Sequence, residues 1–201
     1  MTSDKILELF LFNKRLKFNE IEKLAKIRSN KLDYYLKKLM QKSIIIKEGS
    51  YYQLSESSEY LIPYISNKRA ALPVILIKIG KGKNFFLFKR EKRPYKGKFS
   101  LPGGRILLGE DLADSAQRIM KEKFSVEVRL KKIDSVSIEH IVKNKKIIHT
   151  FLLILVSAET KQKIPLINIT RKKKEIISSD YKLITSKDLP VRINKIISKD
   201  D

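Results

Sequence analysis

Apolar residues recur three times at intervals of three and four residues near the start of the chain, which predicts three amphipathic helices. The apolar runs at residues 44–46 and 51–54 flank Glu48-Gly49-Ser50 and predict a β-hairpin. Residues 56–65 predict a short closing helix, which Pro63 limits. The positions that define the three helices are Ile6, Leu7, Phe10 and Leu11, then Phe18, Ile21, Leu24 and Ala25, then Leu32, Leu36, Leu39 and Met40.

The second part of the chain combines strand patterns with helix patterns. Residues 72–79 and 85–88 are β-rich runs on either side of a glycine-containing turn, which predicts a hairpin. A helix is expected over residues 111–124, because acidic residues at its start suit the helix dipole. Strands are expected at 126–130, 147–156 and 181–184, and a short helix at 191–197. This combination predicts an α+β fold.

Composition limits the classes of protein that remain. The chain has 201 residues, 42% of them hydrophobic, which is enough for a packed core. It has no cysteine, which excludes a disulfide scaffold, thiol catalysis and cysteine zinc sites. With only His140 and His149, we expect no multi-histidine metal site. We also expect a cytoplasmic protein with no membrane partner, because no apolar run approaches the roughly 18 residues of a membrane span and the first residues lack a basic signal-peptide region.

The net charge of +22 predicts an anionic partner, since a positive field attracts phosphate. The alternative is a heat-stable surface solvated by lysines. Residues 1–66 carry +4 and residues 67–201 carry +18. We therefore predict two domains, 1–66 and 71–198. Lysine-rich stretches at 143–146 and 171–174 look like loops, for which solvated turns are an equally good interpretation.

The segment Ser29-Asn30-Lys31-Leu32-Asp33-Tyr34-Tyr35-Leu36-Lys37-Lys38-Leu39, followed by a hairpin, resembles a winged helix-turn-helix domain. In such domains the third helix enters the major groove of DNA. Winged helices also contact proteins, so the fold alone does not establish DNA binding. Specific operators favour symmetric dimers, so we expect a homodimer on double-stranded DNA, with Leu9 and Phe12 as its contact. The predicted DNA-binding residues are Ser29, Asn30, Lys31, Tyr34, Lys37 and Lys38 on the helix and Lys47, Ser50 and Tyr51 on the wing.

Leu101-Pro102-Gly103-Gly104 and the following helix resemble a Nudix domain. The family's box reads G-x5-E-x7-R-E-U-x-E-E-x-G-U, where U is a bulky aliphatic residue. Gly104, Glu110 and Arg118 reproduce its spacing, and Met120, Glu122 and Val126 fall on their positions. The resemblance implies an α/β/α sandwich with a mixed sheet. It also implies hydrolysis of nucleoside diphosphate derivatives with magnesium or manganese held by the box glutamates.

Three box positions depart from the family pattern: Ile119 and Lys123 replace glutamates, and Ser125 replaces the glycine. Glu122 is the only family metal ligand that remains in this stretch. Because magnesium requires oxygen ligands, we predict no metal cofactor and no ordinary Nudix catalysis. The alternative is an active, magnesium-dependent Nudix hydrolase of nucleoside diphosphate derivatives with a winged-helix appendage, in which Glu175 supplies a base.

The remaining box residues suggest ligand binding instead. Lys123 could neutralise phosphate directly, although it could equally be a solvated side chain. Glu110 and Arg118 are best interpreted as a structural ion pair. We therefore predict a DNA-binding transcription regulator whose degenerate Nudix domain senses a nucleotide or sugar phosphate. Another alternative is a nucleic-acid-binding protein whose Nudix domain is structural and offers a second basic contact. The predicted ligand-binding residues are Arg90, Lys92, Arg93, Arg105 and Lys123.

Overall fold

The computed structural model describes residues 2–65, 70–92, 95–143 and 145–186. The chain divides into two compact units, residues 1–69 and residues 70–201. The helix expected at 191–197 lies outside the described residues. No helix in the described part of the chain combines the length and apolar character that crossing a membrane requires.

The first unit contains three helices and a small antiparallel sheet of order β1-β3-β2. Its centre is formed by Ile21 of the second helix and by Leu32 and Leu36 of the third, all almost fully buried. The helices and the hairpin lie close to the predicted positions, whereas β1 was not predicted. The elements are α1 (Thr2–Leu9), β1 (Leu16–Lys17), α2 (Phe18–Ala25), α3 (Ser29–Gln41), β2 (Ile45–Glu48), β3 (Tyr51–Leu54) and a 3-10 helix (Glu56–Tyr64).

The dimer contact predicted on the first helix is only partly available. Helix α1 ends at Leu9, which is partly buried against the core of its own unit. Phe12 lies beyond the helix and is 84% exposed. Leu9 therefore contributes to the fold of the unit, and Phe12 alone remains on the surface.

In its described residues, the second unit contains short strands, two long strands, two α-helices and a 3-10 helix. The predicted hairpin forms only in part: β5 pairs with β6 across the turn, whereas β4, which covers most of the expected strand 72–79, pairs with β9 and β11. The elements are β4 (Leu72–Lys78), β5 (Gly80–Lys81), β6 (Asn84–Phe85), β7 (Phe88–Lys89), β8 (Phe99–Ser100), β9 (Gly103–Arg105), α4 (Leu112–Phe124), β10 (Arg129–Lys143), β11 (Lys146–Glu159), β12 (Ile167–Asn168), a 3-10 helix (Lys173–Glu175) and α5 (Ser178–Thr185).

The main sheet of the second unit is mixed, with the strand order β10-β11-β4-β9. Strand β11 is parallel to β4, and the other pairs are antiparallel. Because successive side chains point to opposite faces, Ile75 and Ile77 join one core cluster and Leu76 the other. Helix α4 packs against the first face through Ile119 and Met120, and α5 contributes Ile184 to the second. The predicted α+β class with a mixed sheet is confirmed.

Two predictions for the second unit are wrong in detail. Residues 181–184 belong to helix α5, because Tyr181 and Ile184 are three residues apart and reach the same core from one helical face. The strand expected at 126–130 begins only at Arg129 and continues to Lys143. Alternation of apolar and polar residues at 135–138 was the available signal for this longer strand.

Helix α4 ends in a left-handed residue at the position where the Nudix box has glycine. Ser125 adopts φ 54° and ψ 33°, and its amide donates to the Lys121 carbonyl at 3.0 Å. The left-handed conformation costs a residue with a Cβ roughly 1–2 kcal/mol, whereas glycine adopts it freely. The left-handed end of α4 therefore explains why the Nudix box has a glycine at this position.

We expect Ser125→Gly to stabilise the second unit by about 0.5–1 kcal/mol, because it removes this backbone penalty while the capping bonds, which use backbone atoms, remain. Urea unfolding measures the change. Exposed Ser178 begins helix α5 and serves as the control, since Ser178→Gly should give no gain. A destabilised Ser125→Gly protein would contradict this explanation.

Candidate functional site

An ion pair fastens the loop before α4 to the helix. Arg118 donates to both carboxylate oxygens of Glu110, and its Nη2 also donates to the Arg105 carbonyl at 3.0 Å. Glu110 accepts the Leu107 amide at 3.0 Å and the Ser115 hydroxyl at 2.7 Å. The hydrogen bond from Arg118 contributes most to lowering the pKa of the Glu110 carboxyl to about 2. This geometry gives Glu110 and Arg118 a structural role in holding the loop.

Two of the residues that differ from the Nudix box pattern, Ile119 and Lys123, face β9, a short strand with two glycines. Ile119 is fully buried, and a Cβ built on Gly104 would approach its side chain to 3.0 Å. One turn later on α4, the Lys123 ammonium donates a hydrogen bond of 2.6 Å to the Gly103 carbonyl. An apolar contact and a cationic hydrogen bond thus join α4 to β9.

These residues do not fit a magnesium ion held by the Nudix box. Ile119 has no ligand atom, and an ammonium such as that of Lys123 only donates hydrogen bonds. Glu122 is 61% exposed, and its Oε2 lies 3.5 Å from Arg118 Nη1. Among the described residues, no three Asp, Glu or His side chains form a group suited to a metal ion.

A cleft of about 970 Å³ opens beside Lys123 on the second unit. Its volume lies at the upper end of the range for small-molecule sites, about 300–1,000 Å³. Apolar and aromatic side chains make much of its wall, with charged groups between them. The lining includes Leu72, Val74, Phe88, Arg90, Lys92, Tyr95, Ser100, Gly103, Gly104, Arg105, Lys123, Glu139, Phe151 and Asp180.

The end of the cleft near Lys123 is electropositive. Partial burial, followed by the positive charges of Arg118 and Arg90, lowers the pKa of the Lys123 amine. Glu122 acts in the opposite direction but does not outweigh these effects. An anion in this part of the cleft would replace repulsion between cations by attraction.

The cleft is also lined by two acidic residues, Asp180 and Glu139, which the sequence did not reveal. Asp180, in the first turn of α5, is 5% exposed, and its Oδ2 accepts the Ser100 hydroxyl and the Leu101 amide, both at 2.8 Å. Burial, together with the charge of Glu139, raises the pKa of Asp180 to about 6 despite these hydrogen bonds. The sequence offered only one signal, an acid before a short apolar run, and that run was interpreted as a strand.

We expect this carboxyl to make the second unit less stable as the pH rises. The pKa of Asp180 is higher in the folded state than the ordinary 3.8, so the folded protein binds the extra proton between pH 4 and pH 6. Its contribution to stability is present at pH 4 and is lost through pH 6, about 3 kcal/mol in total. Asp180→Asn should remove this dependence in urea unfolding measured from pH 4 to pH 7, whereas the exposed Glu159→Gln should keep it. Parallel pH profiles for wild type and Asp180→Asn would disprove the assignment.

Most of the predicted ligand-binding residues lie around the cleft. Arg90, Lys92, Arg105 and Lys123 line the cleft. Arg93 lies outside the described residues. Glu175, the base considered for a hydrolase, does not line the cleft and accepts a hydrogen bond from Lys172 at 2.8 Å.

Helix α3 of the first unit exposes a polar face. Tyr34 is 58% exposed, and the Lys38 ammonium lies 5.9 Å from the centre of its ring. Lys37 forms an ion pair of 2.7 Å with Asp33, and this hydrogen bond raises the pKa of Lys37. Ser29 donates to the Glu22 carboxylate within the unit. The exposed residues predicted on this helix are Ser29, Asn30, Lys31, Tyr34, Lys37 and Lys38.

The residues predicted on the wing lie on or beside the β2–β3 hairpin. Ser50 is in its turn, and the Lys47 ammonium lies 5.4 Å from the centre of the Tyr52 ring. Tyr51 is half-buried, and its ring is approached by Arg15 at 4.7 Å and by Lys17 at 5.1 Å. The Tyr51 ring therefore contacts Lys17 of β1 and Arg15, which precedes β1.

The mixed sheet, the glycine strand and the fastened helix α4 define a Nudix-type domain. A family model described as the NUDIX domain matches residues 68–195, more than half of the chain. The chain therefore belongs to the Nudix family, which confirms the resemblance seen in the box.

The chain is also similar to solved structures, of which the first below supports the fold. A NUDIX hydrolase from Nitrosomonas europaea is 14% identical, with a TM-score of 0.51, and the match covers 64% of this chain and 98% of that chain. A UDP-X diphosphatase is 13% identical, with 80% of each chain covered and a TM-score of 0.45. At such identities the first likeness shows the fold alone. No curated protein matches the chain.

Proposed function

We propose that the second unit binds a nucleotide or sugar phosphate in the cleft through cationic side chains, without a bridging metal ion. The observation that carries this proposal is the Lys123 ammonium at a box position where the family has a glutamate. Arg90 and Lys92 line the same cleft. Their charges allow charge-assisted hydrogen bonds to phosphate oxygens, which are roughly twice as strong as neutral ones.

The apolar part of the cleft supports a ligand larger than phosphate alone. Phe88, Tyr95 and Phe151 line it together with aliphatic side chains. Aromatic rings bury a large area and stack with the flat faces of bases. A nucleotide or a nucleoside diphosphate sugar combines such an apolar or flat group with phosphates, and it would use both parts of the cleft.

A thermal-shift screen with excess EDTA tests the proposal. ADP, ADP-ribose, UDP-glucose and inorganic pyrophosphate are suitable probes. A ligand at 100 times its dissociation constant stabilises a protein by about 2.7 kcal/mol, which raises Tm by several degrees in a unit of this size. We expect at least one of the first three compounds to do so in EDTA. No shift in EDTA together with a shift in magnesium would contradict the proposal.

A second candidate function is hydrolysis of a nucleoside diphosphate derivative. Membership of the Nudix family and the fold of the Nitrosomonas europaea hydrolase favour it. It requires a metal site other than the box glutamates, since Ile119 and Lys123 cannot supply ligands. Magnesium-dependent turnover of ADP-ribose near 1 per second, a typical enzyme rate, would favour the hydrolase over the binding domain.

For the first unit, we propose a winged helix-turn-helix domain that binds double-stranded DNA as a homodimer. Three helices, the sheet order β1-β3-β2 and a terminal hairpin support the proposed fold. The exposed polar face of α3 supports the DNA contact. Asn30 could read adenine, and Lys31 and Lys38 could meet guanine or phosphate.

DNA binding can be tested with substitutions on α3. Asn30→Ala should relax sequence preference, whereas Lys38→Ala should weaken all sequences alike and lower the salt slope by about 1. Lys5→Ala, on the exposed side of α1, is a matched control. Footprinting should show a two-fold symmetric site. Equal effects of Lys38→Ala and Lys5→Ala would count against this role of α3.

The two proposals combine into a regulator if ligand binding changes DNA affinity. Such coupling must be reciprocal, because DNA then changes ligand affinity by the same factor. Typical coupling free energies of about 1–3 kcal/mol correspond to roughly 5–150-fold. DNA affinity measured with and without the ligand found in the screen tests this step. Equal affinities would leave two independent binding units.

A further inference from the structure

Outside the cleft, seven cations of the second unit gather where three segments of the chain meet. The sheet β12-β6-β5 pairs Lys81 with Asn84 and Asn84 with Asn168. The Ile169 amide donates to the Lys83 carbonyl at 2.9 Å, so the turn after β5 lies beside the loop after β12. We name the exposed side chains of these segments the basic face: Lys81, Lys83, Lys98, Arg171, Lys172, Lys173 and Lys174.

Several side chains of the basic face are held in place by contacts within the unit. The Lys98 ammonium donates to the Lys174 carbonyl at 2.7 Å. The Lys173 ammonium lies 5.2 Å from the centre of the Tyr181 ring, within cation–π range. Glu175 is the only acid in segments 80–85 and 167–175, and it pairs with Lys172 at 2.8 Å. Self-repulsion makes such a surface costly, and an extended polyanion relieves that cost.

We propose that the basic face binds the sugar–phosphate backbone of duplex DNA, as a second contact independent of the cleft and of helix α3. None of its seven cations lines the cleft. They come from three segments across an open surface, which suits the regularly spaced charges of DNA, one per 3.4 Å of each strand, better than a single small anion. Asn168, a residue type that can read bases, uses its Oδ1 to accept the Arg171 amide. We therefore expect contacts to the backbone phosphates, which carry no direct information on base sequence.

The experiment uses the full chain and a short DNA duplex of arbitrary sequence, with fluorescence anisotropy at several salt concentrations. Lys81→Glu with Lys174→Glu changes two parts of the basic face. The control is Lys161→Glu with Lys163→Glu, which changes net charge equally. These two exposed lysines flank Gln162, which contacts Ser125 and Glu127 next to the end of α4.

We expect the basic-face variant to bind at least tenfold more weakly and to lower the salt slope by about 2, since each lysine–phosphate contact contributes roughly 1. The control should keep the wild-type slope, and both variants should keep the wild-type Tm. Equal losses in the two variants, or no loss in either, would overturn the proposal. The proposal would also be overturned if the basic-face variant lost binding to phosphatidylserine vesicles but kept its affinity for DNA.

A third protein separates this inference from the proposed DNA contact of the first unit. Lys31→Glu with Lys38→Glu changes helix α3 alone. If α3 does not bind DNA, this variant behaves as wild type while the basic-face variant still loses affinity. If both contacts exist, combining the four substitutions lowers affinity further than either pair. A basic-face variant indistinguishable from its control refutes the second contact whatever α3 does.

Discussion

Lys123→Glu should weaken binding of a phosphorylated ligand by at least about tenfold. The substitution removes a charged hydrogen-bond donor, which contributes about 1.5–3 kcal/mol. It also places a negative charge next to Arg90 and Lys92, where the phosphate would lie. Isothermal titration calorimetry in EDTA, with a compound that passes the thermal-shift screen, measures the loss. The same substitution should leave ligand-free DNA binding unchanged.

Two further variants separate ligand binding from folding. Lys121→Glu makes the same charge change two residues earlier on α4, at an exposed position that does not line the cleft, and should bind as wild type. Lys123→Met keeps an unbranched side chain but loses both the charge and the bond to the Gly103 carbonyl. If Lys123→Met and Lys123→Glu both bind as tightly as wild type, Lys123 only joins α4 to β9.

Asp134→Ala should destabilise the second unit by about 3 kcal/mol. Asp134 lies at a register shift between β10 and β11, and the extra residue of such a bulge can turn its side chain inward. It accepts hydrogen bonds from Ser157 on β11 at 2.5 Å and pairs with Lys78 on β4 at 2.7 Å. Removing one partner of a buried pair leaves an uncompensated charge, which typically costs about 3–5 kcal/mol.

The pH dependence of this pair has the opposite sign to that of Asp180. Burial alone would raise the pKa of Asp134, but hydrogen bonds from Lys78, Ser157 and Lys132 outweigh it and hold the pKa below its ordinary value. Its stabilisation is therefore present above the ordinary pKa of 3.8 and is lost as the pH falls through the lower folded value.

The control for Asp134 is another lysine–carboxylate pair of similar length. Glu175→Ala breaks the exposed 2.8 Å pair with Lys172 and should cost at most about 0.5 kcal/mol, because water screens such pairs. Urea unfolding near pH 7 measures both variants. A loss below about 1 kcal/mol for Asp134→Ala would mean that the bulge is held by strand pairing alone.

Local patterns were sufficient to predict several elements. Helix α4 begins within a residue of its expected start, because Asp111 caps it by accepting the amides of Ala113 and Asp114. Helix α5 was mistaken for a strand because a four-residue run cannot distinguish alternation from one helical turn. Its assignment depends on tertiary contacts such as that of Asp180 with Ser100, which are 80 residues apart.

The sequence indicated only part of the candidate site. The box spacing indicated Lys123, Glu110 and Arg118, because these residues lie within one short segment. Asp180 and Glu139 reach the same cleft from α5 and β10, and no local pattern connects those elements to the box. The bond from Lys123 to the Gly103 carbonyl likewise depends on how α4 packs against β9.

We propose that the cleft binds a phosphorylated ligand through its own cations rather than through a metal ion. The most direct test is calorimetric titration of the full chain with ADP-ribose, once in excess EDTA and once in excess magnesium, with the product mixture analysed afterwards. We expect equal affinity in both buffers, weaker binding at higher salt and intact ADP-ribose. Binding that requires magnesium, ADP-ribose cleaved in the magnesium sample, or no binding of ADP-ribose, ADP or UDP-glucose in either buffer would contradict it.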